Sequence, residues 1–190
     1  MTQKANLDFA YFPDYLKWAK FVSDDCDCPD GSPCLDGVYF GDPDIEDPVC
    51  LSDLVAGSVR VDIPDDLVDE LKRSVKQVNP KWSKKQIDDR VEQAVDSLSR
   101  TPPVPWIQEN EWPVHCADFC RYLGEWDQAR LTEAAPDGKG LAFLWSILPS
   151  AAQARRDRDE LWEELGDEWA AVYVFECLTC GKRIAVEQSY

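Results

Sequence analysis

Apolar positions along this chain keep a helical rhythm in its middle and an alternating one near its C-terminus. Leu67, Leu71, Val75 and Val78 mark one face of a helix. Pro64, Asp65 and Asp66 precede them, a proline and acids that suit a helix start. Asn79-Pro80 ends that segment. Ser83 with Gln86 reads as a capping box ahead of Ile87, Val91, Ala94, Val95 and Leu98. Together they predict a helical hairpin with a solvated charged face. Further on, Trp169, Ala171, Tyr173 and Phe175 alternate with Ala170, Val172 and Val174, which predicts a buried strand. Ile184-Ala185-Val186 is expected to pair back on it.

The remaining segments are less regular. Residues 1–22 carry Phe9, Tyr11, Phe12, Tyr15, Leu16 and Trp18, an aromatic lead-in expected to pack on the core. Residues 23–63 are rich in Asp, Pro, Gly and Cys, with short strand-like pieces such as Gly37-Val38-Tyr39-Phe40. Thr101-Pro102-Pro103-Val104-Pro105 breaks the helical pattern. A helix is then expected from Pro113 through Val114, Cys116, Phe119, Cys120 and Leu123 to a stop at Gly124. Trp126 to Ala135 reads as helical, and Gly140 to Trp145 as buried, with helix and strand both open. Ser150 is expected to cap a helix that contains Leu161, Trp162 and Leu165 and ends at Gly166. The fold expected is α+β: one mostly helical domain over residues 1–190. Its parts are an acidic cysteine-rich lobe at 23–63, a helical core at 64–165 and a C-terminal zinc-knuckle β-hairpin at 167–188.

At 190 residues and 44% apolar content, with eight tryptophans, the chain is long enough for a real core. No apolar run approaches the roughly 20 residues of a membrane helix, so no membrane insertion is expected. The start lacks the apolar stretch of a secretion signal, so a cytoplasmic location is expected. Thiols stay reduced there, so eight cysteines favour metal over disulfides. The net charge of −17 is concentrated: from Asp24 to Glu70 fifteen acids face one base, Arg60. Such a field repels nucleic acid and attracts basic proteins.

Chemistry concentrates in the cysteines. Cys177-Leu178-Thr179-Cys180-Gly181 between two strands has the shape of a zinc knuckle, its glycine allowing the left-handed backbone such a turn needs. A redox pair would sit at a helix start instead. Cys116 and Cys120, at i and i+4 on the expected helix, could complete a four-cysteine site, or be two buried thiols. His115 would replace a ligand if that helix began later. Cys26, Cys28, Cys34 and Cys50 could form a second site, with Asp53 supplying an oxygen. The glycine-rich, serine-nucleophile and zinc-hydrolase motifs are absent. An enzyme is not expected, and structural zinc is the expected cofactor.

Three motifs occur in order that resemble those of the CbrC family, small cysteine-rich bacterial proteins associated with colicin tolerance. Arg100-Thr101-Pro102 is similar to the family's Arg-Thr-Pro. Trp112-Pro113-Val114-His115-Cys116-Ala117-Asp118, ending in Leu123-Gly124, resembles its Trp-x-x-His-Cys-x-Asp signature. Tyr173-Val174-Phe175-Glu176-Cys177-Leu178-Thr179-Cys180-Gly181-Lys182 resembles its C-terminal motif. The family's Cys-Pro-x-Cys reads Cys50-Leu51-Ser52-Asp53 here, so a first site would be a mixed one. The resemblance implies a role in surviving bacterial toxins. The function expected is an immunity protein that neutralises a basic toxin, a nuclease or nucleotide-using enzyme. Its contacts would be the acids Asp42, Asp44, Glu46, Asp47, Asp62, Asp65, Asp66, Asp69 and Glu70. The alternative is a zinc-stabilised regulatory or adaptor protein that never touches the toxin.

Overall fold

The computed structural model describes residues 9–17, 20–21, 37–39 and 49–189. Among them are seven α-helices and eight strands in small antiparallel sheets, an α+β architecture. The chain divides into two compact units, Met1–Pro105 and Trp106–Tyr190. The division falls at the proline run, inside the segment expected to form one helical core.

In the first unit, β1 (Lys20–Phe21), β2 (Gly37–Tyr39) and β3 (Val49–Cys50) form an antiparallel sheet. It leads directly into α1 (Leu51–Ala56), a helix not expected from the sequence. Leu51 and Leu54 bury one side of α1, and Gly57 ends it at φ 77°, a left-handed position that favours glycine.

The predicted hairpin follows. α2 (Asp65–Val78) buries Leu67, Leu71 and Val75, one per turn, whereas Val78 lies exposed at its end. Asn79 caps it, its Nδ2 donating to the Val75 carbonyl. α3 (Lys84–Ser99) opens on the expected capping box: Gln86 N–H donates to Ser83 Oγ at 3.3 Å and Ser83 N–H to Gln86 Oε1 at 2.9 Å. Ile87, Val91, Ala94 and Leu98 are buried. Lys72 and Asp88 join the two helices at 2.9 Å, and Asp96 receives both Arg60 and Arg100.

The second unit is built on a three-stranded antiparallel sheet. Its order is β6 (Arg121–Glu125), β7 (Ala170–Glu176) and β8 (Arg183–Ser189). A short hairpin, β4 (Val114–His115) and β5 (Asp118–Phe119), precedes it. This corrects the expected helix from Pro113 to Gly124: the segment is extended, and Gly124 is a bulge at φ 122° against β7 rather than a helix stop. Pro113 accepts from Cys120 N–H across the hairpin, a bond no helix makes.

Side chains of β7 alternate between two buried faces, which explains its unbroken apolar run. Val172 and Val174 pack with Trp126, Leu131, Leu144, Ile147 and Leu161. These come from α4 (Gln128–Ala134), α5 (Gly140–Ile147) and α7 (Arg158–Gly166), and from the turn before α4. Tyr173 and Phe175 instead meet Trp106, Trp112 and Tyr122 in an aromatic stack. The helix expected to run from Ser150 to Gly166 is two. α6 (Ser150–Gln153) stops before Arg155, and α7 restarts with its own cap, Asp157, which accepts from Asp159 and Glu160 N–H. Gly140 lies so close to α4 and α7 that a Cβ there would come within 2.7 Å of the Trp162 ring and 2.9 Å of the Thr132 backbone nitrogen. Among the described residues, no helix is long and apolar enough to cross a membrane.

Candidate metal centre

Two tight turns, far apart in sequence, converge in the second unit. The first joins β4 to β5: Val114 pairs with Phe119 and His115 with Asp118, leaving Cys116 and Ala117 as a two-residue loop. Both loop residues have positive φ, 52° and 64°. Two consecutive left-handed residues make the turn that suits a hairpin's twist, and that turn usually carries Asn-Gly. With non-glycine residues it costs on the order of 1–2 kcal/mol per position. Such local strain persists where surrounding bonds fix it.

The second turn joins β7 to β8. Cys177 N–H donates to the Lys182 carbonyl at 2.9 Å, and Gly181 N–H to the Cys177 carbonyl at 3.0 Å. Gly181 takes the left-handed conformation the sequence predicted, φ 71°. The turn therefore presents Cys177 and Cys180 to one point, Cys177 buried and Cys180 exposed.

The ligand atoms of His115, Cys116, Cys177 and Cys180 all lie within 4.8 Å of one another. His115 Nδ1 is 3.5 Å from Cys180 Sγ. A tetrahedral ion with metal–sulfur bonds of about 2.3 Å holds its sulfurs about 3.8 Å apart, so the group is close enough to bind a metal ion. Burial, followed by the neighbouring thiols of Cys177 and Cys180, pushes the Cys116 thiol up to about 11. The Cys180 thiol moves the other way, its charged form favoured first by the Lys182 backbone N–H. Sulfurs crowded this way repel as thiolates, and a cation among them removes the repulsion.

The expected four-cysteine set is thus changed by one residue. Cys120 is not in the group. It is fully buried, and burial pushes its thiol up to about 12, with Cys177 adding to the effect. His115 stands in its place, because a hairpin rather than a helix separates the two cysteines. No periodic signal in the sequence marks this hairpin, because β4 and β5 are only two residues each.

Of the second expected site, Cys50 is described and buried, its Sγ 3.6 Å from Ser52 Oγ. Cys26, Cys28 and Cys34 lie outside the described residues. Asp53 sits in the first turn of α1, where its backbone carbonyl accepts from Ser58 and Val59 N–H. No ligand group forms around Cys50 and Asp53 among the described residues. Asp62, Asp65, Asp66, Asp69 and Glu70 are all exposed, just before α2 and in its first two turns. Asp66 and Asp69 share a shallow groove with Lys72, Arg73 and Lys76, so this face carries both signs. Asp42, Asp44, Glu46 and Asp47 lie outside the described residues.

Fold and site together define a cysteine-rich α+β protein with a candidate three-cysteine, one-histidine metal centre. The chain belongs to the uncharacterised protein family UPF0167, whose model matches residues 7–188. No curated protein and no solved structure matches it.

Proposed function

We propose that this chain is a zinc-stabilised binding protein that acts as an immunity protein, neutralising a basic bacterial toxin. The observation that carries the zinc reading is the donor set: three sulfurs and one imidazole nitrogen within 4.8 Å. That set suits zinc better than a hard cation, which prefers oxygen. Four protein donors fill a tetrahedral ion and leave no position for a reacting water, which makes the metal structural. The working surface is then sought in the protein's charge. The exposed acids Asp62, Asp65, Asp66, Asp69 and Glu70 support a basic partner through charge steering, in a salt-dependent encounter.

Native mass spectrometry of the tagged chain, purified from its own cells, tests both parts. Zinc together with one co-purifying basic protein supports the proposal. Lys or Glu replacements at Asp65, Asp66 and Asp69 then separate charge from contact: Glu should retain the complex and Lys should release it. Zinc with no partner overturns the immunity reading in favour of a regulatory or adaptor role. A chain without zinc overturns the metal reading.

A further inference from the structure

The tip of the helical hairpin inverts the charge of the chain. From Leu71 to Ile87 the sequence holds six bases, Lys72, Arg73, Lys76, Lys81, Lys84 and Lys85, and no acid, although the net charge is −17. Every residue from Pro80 to Gln86 is exposed, as are Lys76, Gln77 and Val78 at the end of α2. The turn between the helices is closed by Trp82 N–H, which donates to the Asn79 carbonyl at 3.0 Å. Val78 and Trp82 therefore stand at its two shoulders. Both are apolar and open to solvent, at 54% and 39%. Val78 continues the stripe of Leu71 and Val75, which are fully buried, yet it covers nothing in the fold.

Two of the bases are already matched, Lys72 by Asp88 at 2.9 Å and Lys85 by Asp89 at 2.7 Å. Arg73 gives its Nε to the Asp69 carbonyl. Lys76, Lys81 and Lys84 make no ion pair among the described residues. The acids of α2 lie at its other end. From Glu70 to Val78 the helix rises about 12 Å, beyond the Debye length of about 8 Å at physiological salt. Asp65, Asp66, Asp69 and Glu70 are thus largely screened from the turn. What remains there is an exposed tryptophan and valine among three unmatched lysines.

We propose that the α2–α3 tip docks the protein on an anionic lipid surface, Val78 and Trp82 entering the headgroup layer and Lys76, Lys81 and Lys84 meeting the lipid charges. Tryptophan favours that layer, because its ring is apolar and its N–H polar. Lysines near such a surface are each attracted to it, and the pull fades within a Debye length. That short range lets a basic tip bind although the chain as a whole is acidic. The contact is peripheral, since α2 and α3 are 14 and 16 residues long and polar on one face. A nucleic acid fits less well. Its backbone is tracked by a basic groove, whereas the tip is a turn whose exposed valine would face phosphate. The unmatched bases are also all lysine, without arginine's planar fork. The site lies wholly in residues 71–87 and depends neither on the metal centre nor on the acids of residues 62–70.

The test floats the full-length chain with vesicles of equal parts phosphatidylcholine and phosphatidylglycerol, and with vesicles of phosphatidylcholine alone. The expected result is binding to the anionic vesicles only, weakening as salt is raised. Each lysine should contribute about fivefold. Replacing Lys76, Lys81 and Lys84 together by Gln should therefore weaken binding about a hundredfold, with the melting temperature unchanged because all three are exposed. Trp82→Phe keeps an apolar ring and should retain most of the binding, while removing the quenching of tryptophan emission by brominated lipid. If that variant melts early, the lysine variant carries the test. No binding to anionic vesicles overturns the proposal, as does equal binding to neutral ones or by the lysine variant. So does a tighter complex with an oligonucleotide than with vesicles that the lysine variant loses, which would assign the tip to nucleic acid.

Discussion

The helical hairpin of α2 and α3 and the pair of turns that join β4 to β5 and β7 to β8 face the same difficulty with opposite means. Each must hold order in a chain carrying a net charge of −17. The hairpin does it with local devices: a capping box, apolar residues at helical spacing, and the Lys72–Asp88 pair. Every one of these acts within about a turn or between adjacent helices. Of the two turns, the one joining β4 to β5 has almost nothing local. β4 and β5 are two residues each, and their loop holds two non-glycine residues at positive φ. What brings them to order is distant in sequence: Cys177 lies 62 residues beyond His115. A segment with a strong apolar period needs no metal, and one without it becomes ordered through distant bonds.

The largest expected effect separates the two regions outright. Cys177→Ser should strip the bound metal and destabilise the second unit by several kcal/mol, since ligand binding there is folding free energy. Metal analysis and thermal melting check it together, with the helical signal of the hairpin retained. Cys120→Ser sharpens the assignment: metal content should be unchanged, and His115→Cys should preserve it through a fourth sulfur. If Cys120→Ser loses the metal and His115→Ala keeps it, the fourth ligand is Cys120 and not His115.

Leu71→Ala probes the opposite region. Leu71 is fully buried on α2, so its truncation should cost about 2–5 kcal/mol while metal content stays at its original value. Loss of metal in that variant would mean that the two regions are not independent. Ser83→Ala removes one side of the capping box and should cost about 1 kcal/mol, read as a lower denaturant midpoint with the same slope.

The smallest effect is electrostatic. Arg60 first, and Arg100 with it, hold the Asp96 carboxyl below its ordinary range. A depressed carboxylate adds stability above its unfolded pKa and loses it as pH falls through the folded one. Asp96→Asn should therefore be slightly less stable than the original at neutral pH, and the gap should close in acid. Asp96 is 42% exposed, so solvent and salt keep the effect small.

Where bonds are local, the sequence was legible. Pro64, Asn79, Ser83 and Gln86 mark the bounds of α2 and α3, and the alternation of 170–175 marks β7. The knuckle at Cys177–Gly181 was equally plain, since its glycine and spacing are sufficient to define the turn. The segment 113–124 misled because Cys116 and Cys120 share a helical spacing and Pro113 looks like a first-turn proline. Two-residue strands leave no period to weigh against that. The restart at Asp157 was hidden because Leu161 and Leu165 keep the helical rhythm, though an aspartate two and three residues before Asp159 and Glu160 was a cap signal. In α1, Leu51, Leu54 and Gly57 did spell a short helix, inside a stretch whose acidity drew attention to charge.

The convergence of the two turns also sets an order of events in time. Cys177 and Cys180 sit three residues apart and can capture an ion while the chain is still unfolded, whereas His115 and Cys180 are 65 residues apart. Closing a loop of that length costs roughly 4 kcal/mol of chain entropy, so the second pair of ligands arrives late. On the zinc reading, metal supply would govern the refolding rate as well as the final stability, and a chelator added early should arrest the chain with its helical hairpin formed and its C-terminal sheet unclosed.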